Sequence, residues 1–177
     1  MIQTLLKQAK VVGDVENIDA SMQDYVQKQE FFVVRYPRSW YTGQWDKDQR
    51  EVAFSAKCGA EVGCPKFMIS VFDLTEGKGS QQYAEDMGRS LDLQPEYRVV
   101  DTSTISINDQ AVGVVEYLVD QSEKGELKTN HHIEYIFVGQ DNRYHINFSA
   151  PEDQFEPNRD LFAEISRLFT YLKSSPL

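Results

Sequence analysis

The chain of 177 residues has fewer basic than acidic residues, only two cysteines and no long apolar run, and these shortages limit the classes of protein to which it can belong. It has no uncharged apolar run of even eight residues, so the sequence predicts neither a signal peptide nor a membrane-spanning helix. Eighteen Lys and Arg stand against 28 Asp and Glu, which gives a formal net charge of -10. This charge disfavours nucleic acid or an anionic membrane surface as the main partner and favours a basic partner or a cation.

Hydrophobic residues make up 41% of the chain and aromatic residues 12%, which is a globular composition. The length suits one hydrophobic core. Residues 1–23 are mostly polar and show no sustained period, so we expect a flexible N-terminal tail or tether followed by a single domain over 24–177. A tether between a removed anchor and the domain and an ordinary frayed terminus both fit this pattern.

The two cysteines, Cys58 and Cys64, enclose a short loop with glycine at both ends, between two strand-like segments. This spacing suits the tip of a β-hairpin, where a disulfide can form, and a pair of reduced thiols is the alternative. A thioredoxin-type motif needs two intervening residues, and a zinc site needs more ligands than this loop offers. If the disulfide forms, the protein belongs in an oxidising compartment.

Alternating apolar and polar residues predict strands along most of the chain, and two segments have helical periodicity. The predicted strands cover 31–36, 51–56, 67–74, 98–107, 111–120, 128–138 and 143–150, and the predicted helices cover 81–93, with Ser80 as N-cap, and 158–172. The acidic tract 151–156 is expected to precede the last helix. We therefore predict an α+β fold with a mainly antiparallel sheet of six to seven strands, covered by helices on both faces.

Short motifs resemble those of the PsbP-like domains. A strand at 24–26 precedes the segment Phe-Val-Val-Arg-Tyr-Pro-Arg-Ser-Trp of 32–40, and a closing hairpin leads into the Ser-Ala-Pro junction of 149–151 and a last apolar helix. The resemblance implies an α/β/α sandwich, shared with the phage-sensitivity protein DcrB and with a nuclear-transport factor that binds Ran. It also implies an accessory or binding role, as in the lumenal photosystem II subunit that names the family and in its bacterial envelope relatives, which are often lipoproteins.

Catalytic signatures are missing from the sequence, so we expect no enzyme activity. There is no G-x-S-x-G elbow, the segment 76–80 lacks the order of a phosphate-binding loop, and His131-His132-Ile133-Glu134 is not the H-E-x-x-H of zinc proteases. No resident cofactor is expected either.

One polar cluster is nevertheless predicted on the sheet. If 139–142 is a hairpin turn, His132, Glu134, His145 and Asn147 share one face. His132, Glu134 and His145 are suitable ligands for zinc or another divalent cation. An ordinary polar sheet face with hydrogen-bonded histidines is the simpler interpretation.

Aromatic residues after the Pro37 turn are candidates for partner binding. Tyr41 and Trp45 could serve as loop anchors for a protein partner, whereas Trp40 is expected to close one end of the core. Trp45 could equally be half-buried packing. The sequence thus favours a non-catalytic accessory or protein-interaction domain, located outside the cytoplasm in a periplasm or lumen, with a membrane link only through a removed N-terminal anchor. The alternative is a metal- or small-molecule-binding envelope lipoprotein that uses His132, Glu134 and His145.

Overall fold

The computed structural model describes residues 21–58, 63–123 and 125–171. Within these residues the chain forms ten strands and two helices: β1 (Met22–Gln27), β2 (Phe32–Pro37), β3 (Tyr41–Thr42), β4 (Glu51–Ser55), β5 (Lys66–Asp73), α1 (Ser80–Asp92), β6 (Tyr97–Ile107), β7 (Gln110–Glu123), β8 (Glu126–Val138), β9 (Asn142–Pro151), α2 (Glu152–Arg167) and β10 (Thr170–Tyr171). Most of the tail predicted at 1–23 lies outside the described residues, although β1 already begins at Met22.

Seven strands form one antiparallel sheet in the order β3-β4-β5-β9-β8-β7-β6, which confirms the predicted fold class. Tight turns fix the pairing of neighbouring strands. Asn108 and Asp109 link β6 to β7 with φ of 50° and 61°, a backbone conformation that suits the twist of a two-residue hairpin. The turn after β8 sets Val138 opposite Arg143, which is the register predicted from the sequence.

The strand predicted at 31–36 does not join this sheet, which corrects the expectation of a single sheet that contains all the predicted strands. Its counterpart β2 pairs with β1 and β10 in a separate three-stranded sheet. Phe32 of β2 packs on Tyr144 and Phe169, so the small sheet covers the core of the large one. Because β10 lies far from β2 in the sequence, no local sequence pattern predicts that these two strands pair.

The two helices lie on opposite faces of the large sheet. α1 packs on β6, β7 and β8, whereas α2 and the small sheet pack on the other face. Trp40 is buried beside Phe67 and closes one end of the core, as predicted. No helix of the described ranges is long and apolar enough to cross a membrane.

Both predicted helix boundaries need correction. Gly79, and not Ser80, is the N-cap of α1, because the Ser80 hydroxyl donates a hydrogen bond to the Ala111 carbonyl on the sheet. α2 begins at Glu152, so the acidic tract forms its first turns, where negative charge is favourable. It ends at Arg167, since the next residues turn to form β10.

Candidate functional site

One face of the large sheet is only partly covered. α1 lies over β6 to β8, and among the described residues no element packs on the outward side of β3, β4 and β5. We call this surface the uncovered face, and its strand residues are Tyr41, Glu51, Ala53, Ser55, Lys66, Met68 and Phe72, together with Ser70, which is itself buried.

Apolar side chains are exposed on the uncovered face. Tyr41 is 60% exposed, Phe72 39% and Met68 37%, whereas Phe54 and Phe67 on the inner side of the same strands are buried. Strand alternation places these two sets on opposite sides. Tyr41, Met68 and Phe72 are therefore the exposed large apolar side chains of the uncovered face.

Cations accompany these apolar residues. The Lys57 ammonium lies 4.9 Å from the centroid of the Tyr41 ring, and the Arg143 guanidinium lies 5.0 Å from that of Phe72. Lys66 is exposed on the same side of β5 as Met68. The uncovered face therefore has a local excess of positive charge in a chain whose net charge is -10.

The two residues predicted to bind a partner are separated by the fold. Tyr41 lies on the uncovered face, opposite Ser55. Trp45 is half-buried and packs toward the core, with its ring centroid 6.1 Å from that of Phe32. A binding role therefore stays a prediction for Tyr41, while Trp45 has a packing role in the structure.

The predicted polar cluster forms on β8 and β9, with Glu134 opposite Asn147. His145 Nδ1 lies 2.5 Å from Glu134 Oε1, and Asn147 Nδ2 donates to Glu134 Oε2 over 2.9 Å. His132 Nδ1 donates to Asn147 Oδ1 over 3.0 Å, and Asn147 also donates to the Tyr117 hydroxyl at 2.8 Å. The cluster is a connected hydrogen-bond network across three central strands.

These hydrogen bonds use both Glu134 oxygens but leave Nε2 of His145, an atom that a metal ion could bind, without a partner among the described residues. Both Glu134 oxygens and Nδ1 of each histidine are engaged within the cluster. In the part of the chain that the structure describes, no three His, Cys, Asp or Glu side chains are arranged to hold a metal ion. Binding of zinc at His132, Glu134 and His145 stays a prediction from the sequence.

Burial controls the electrostatics of the cluster. Burial opposes ionisation of Glu134, but hydrogen bonds from His145 and Asn147 and the charge of His145 lower its pKa below the ordinary value. Burial lowers the pKa of His132, although its bond to Asn147 acts in the opposite direction. Burial together with the nearby Glu134 charge raises the pKa of the Tyr117 hydroxyl.

The cluster borders the uncovered face but is shielded from it. The Phe72 ring lies edge-on to the His145 ring, with centroids 4.7 Å apart. Glu134 is buried, and Nε2 of His145 is buried without a hydrogen-bond partner among the described residues. Phe72 is thus exposed to solvent on one side and contacts the buried network on the other.

Cys58 and Cys64 are joined by a disulfide in the structure, with Cα atoms 5.9 Å apart. This separation is normal for a disulfide. The intervening residues 59–62 lie outside the described residues. Cys64 and Lys66 line a groove of about 1000 Å³ at the end of the sheet, together with Lys128 of β8. The groove adjoins the uncovered face at Lys66.

A second charged cluster escaped the sequence reasoning. Glu116 accepts hydrogen bonds from Arg159 of α2 at 2.7 and 3.1 Å, and lies 2.6 Å from His131 Nε2. The His131 ring stacks on Phe155 with centroids 3.8 Å apart. The sequence sign of this cluster is Glu116 itself, a charged residue within the otherwise apolar first part of β7. The cluster attaches α2 to the sheet and is therefore structural.

Comparisons with known proteins establish the fold. No sequence-family model matches the chain, and no curated protein matches it by sequence. The chain is similar to the solution structure of cyanobacterial PsbP (CyanoP) from Synechocystis, with a TM-score of 0.64 and 16% identity over 86% of this chain and 94% of that one. It is also similar to LpqN of Mycobacterium tuberculosis, which is involved in cell envelope biogenesis, with a TM-score of 0.59 and 12% identity over 85% of this chain and 90% of that one.

The Ran-binding protein Mog1p of Saccharomyces cerevisiae shares the architecture as well. Its TM-score is 0.52, with 11% identity over 86% of this chain and 96% of that one. The chain thus has the PsbP-like fold that the motifs predicted. At sequence identities this low, the similarity establishes the fold but not the function, so a function has to be inferred from the surface of this protein.

Proposed function

We propose that this protein is a non-catalytic interaction module that binds another protein through the uncovered face. The observation that carries the proposal is the exposure of Tyr41, Met68 and Phe72 on a part of the sheet that α1 leaves open. On the opposite side of the same strands every large side chain is covered by α2 or the small sheet. Since the core of the protein is already covered, the exposed apolar side chains are best explained as a surface that a partner protein covers on binding.

The structural neighbours support this class of function. Mog1p is described as Ran-binding, and it has the same architecture as this chain. The buried cluster around Glu134 is closed by its own hydrogen bonds, which favours the uncovered face over the cluster as the contact region.

We place the protein outside the cytoplasm. The disulfide between Cys58 and Cys64 is suited to an oxidising compartment, and LpqN, which has the same fold, is involved in cell envelope biogenesis. Fractionation of cells of the native organism, with thiol trapping of Cys58 and Cys64, tests this location. Recovery in the cytoplasmic fraction with both thiols free would contradict it.

The interaction is tested by site-specific photocrosslinking in the native organism. A photoreactive amino acid replaces Met68 in one variant and Leu93 in a matched control, because Leu93 is exposed on a different part of the molecule. We expect a discrete crosslinked species from position 68 only. Its loss when Phe72→Glu is added would show that the contact uses the uncovered face. Equal crosslinking from both positions, or none from position 68, would overturn the proposal.

A further inference from the structure

We propose that the uncovered face recognises an acidic protein segment that carries apolar side chains. This inference rests on the proposed function and names the chemistry of the partner. The uncovered face carries Lys57, Lys66 and Arg143, in a chain whose net charge is -10.

The cations lie at both ends of the uncovered face. Lys66 pairs with Ser55, which in turn pairs with Tyr41, so Lys57, Lys66 and Tyr41 share one end. At the other end the partly buried Arg143 lies directly opposite Phe72 on the neighbouring strand, and its guanidinium also stacks on Tyr83 of α1, 4.3 Å from the ring centroid. Each exposed aromatic ring therefore has a cation beside it. Carboxylates of a partner would meet these cations while its apolar side chains cover the rings.

The apolar residues form a line between the cations. Met68 and Phe72 lie on the same side of β5 and are separated by about 13 Å at the rise of an antiparallel strand. Ala53 lies opposite Met68, and this small side chain leaves room for a partner side chain against the thioether. Methionine adapts its shape to different apolar ligands. The spacing fits two apolar side chains on one extended or helical segment.

Among the described strand residues of this face Glu51 is the carboxylate, and it lies on β4 opposite Ser70, while the exposed Asp73 beside Phe72 pairs with Arg50. Glu51 is partly buried, whereas Lys57 and Lys66 are exposed. The net charge of -10 repels acidic partners from the remaining surface. The contrast in charge between the uncovered face and the whole chain therefore orients an acidic segment toward the uncovered face.

Two synthetic peptides test the inference on the full chain. Both have twelve residues with leucine and phenylalanine at the same positions, and the remaining positions are Glu and Asp in one peptide and Lys in the other. Binding is followed by NMR shifts of Met68 and Phe72 in labelled protein. We expect the acidic peptide to bind at least about tenfold more tightly, and the difference to shrink as salt is added.

Charge reversal identifies the site. Lys66→Glu is expected to weaken binding of the acidic peptide by about three- to tenfold. Lys28→Glu is the matched control, since it changes the net charge equally but lies in the turn between β1 and β2, on the other side of the molecule. Lys57→Glu repeats the test at a second exposed position. Dispersed NMR spectra of all three variants show that they fold.

Three results would overturn the inference: equal or tighter binding of the basic peptide, no binding of either peptide, or equal weakening by Lys66→Glu and Lys28→Glu. A concentration-dependent dimer in sedimentation, abolished by Met68→Glu, would assign the uncovered face to a second copy of the chain instead. Crosslinking from position 68 without preference for the acidic peptide would remove this inference alone. Failure of that crosslinking would remove the proposed function.

Discussion

Gly113 of β7 lies directly beneath the carbonyl oxygen of Ser80, so closely that a methyl group at position 113 would overlap it. The same methyl group would stand 2.9 Å from Cβ of Ala84 on the next turn of α1. The helix therefore packs with its backbone almost on the sheet. The hydrogen bond from the Ser80 hydroxyl to the Ala111 carbonyl holds α1 at this short distance from the sheet.

Replacing Gly113 with alanine is expected to destabilise the protein by about 1–3 kcal/mol, because α1 must move away from the sheet. Urea denaturation measures the change. Gly79→Ala is the control, since an added methyl group there meets nothing within 4 Å, and only the weaker N-cap preference of alanine acts against it. Equal losses in the two variants would show that the close contact does not limit the packing.

Arg50 connects several turns at one end of the molecule. It donates to Glu30 at 3.0 and 2.7 Å, to Asp73 at 2.7 Å and to Asn142 at 2.9 Å. Arg50→Ala is expected to lower the free energy of unfolding by about 1–2 kcal/mol, since several charge-assisted bonds are lost together. The control is Arg98→Ala, because Arg98 is exposed and bonds to Asp120 at 3.3 Å. That variant is expected to change stability by less than about 0.5 kcal/mol.

The lowered pKa of Glu134 should make the free energy of unfolding depend on pH in the acidic range. Its pKa is lower in the folded chain than the ordinary value of 4.5, so the folded state binds fewer protons than the unfolded state at acidic pH. The stabilisation is complete above that ordinary value and is lost as pH falls through the folded pKa. In Glu134→Gln, stability measured by chemical denaturation should fall less steeply below pH 4.5. Glu76→Gln, at an exposed loop position, should keep the steep acid dependence of the wild type.

The disulfide should contribute about 2–3 kcal/mol in the oxidised protein, as its short loop allows. Cys58→Ser with Cys64→Ser should therefore lower the melting temperature, and a reducing agent should lower the wild type to nearly the same value. Mass spectrometry after alkylation reports the redox state directly. A wild type that alkylates fully without reduction would show that the thiols are free in the isolated protein.

Zinc is expected to leave the buried cluster unchanged, because both Glu134 oxygens are hydrogen-bonded within it and no three ligand side chains of the described residues are arranged to hold a metal ion. Titration with zinc, followed through the ring signals of His132 and His145, measures this. Unmoved signals at micromolar zinc are the expected result. A saturable shift of both rings, lost in Glu134→Gln, would instead restore the metal site predicted from the sequence.

The sequence predicted the register of β8 and β9 because a short turn fixes it locally. Glu134 therefore lies opposite Asn147 as expected. It could not predict β10, where Thr170 and Tyr171 pair with β2 from a distant part of the chain. Leu168 and Phe169 continue the apolar spacing of α2, so periodicity alone extends the helix past its real end. The uncovered face also depends on where α1 lies across the sheet, which is a tertiary property.

The three-stranded sheet receives both ends of the described chain, since β1 and β10 pair with β2 from its two sides. This sheet and the uncovered face lie on opposite sides of the large sheet. A label or linker attached beside Met22 or Tyr171 therefore lies on the opposite side of the large sheet from Met68 and Phe72. These two positions suit the immobilisation of the protein for binding measurements, because they leave the uncovered face directed outward.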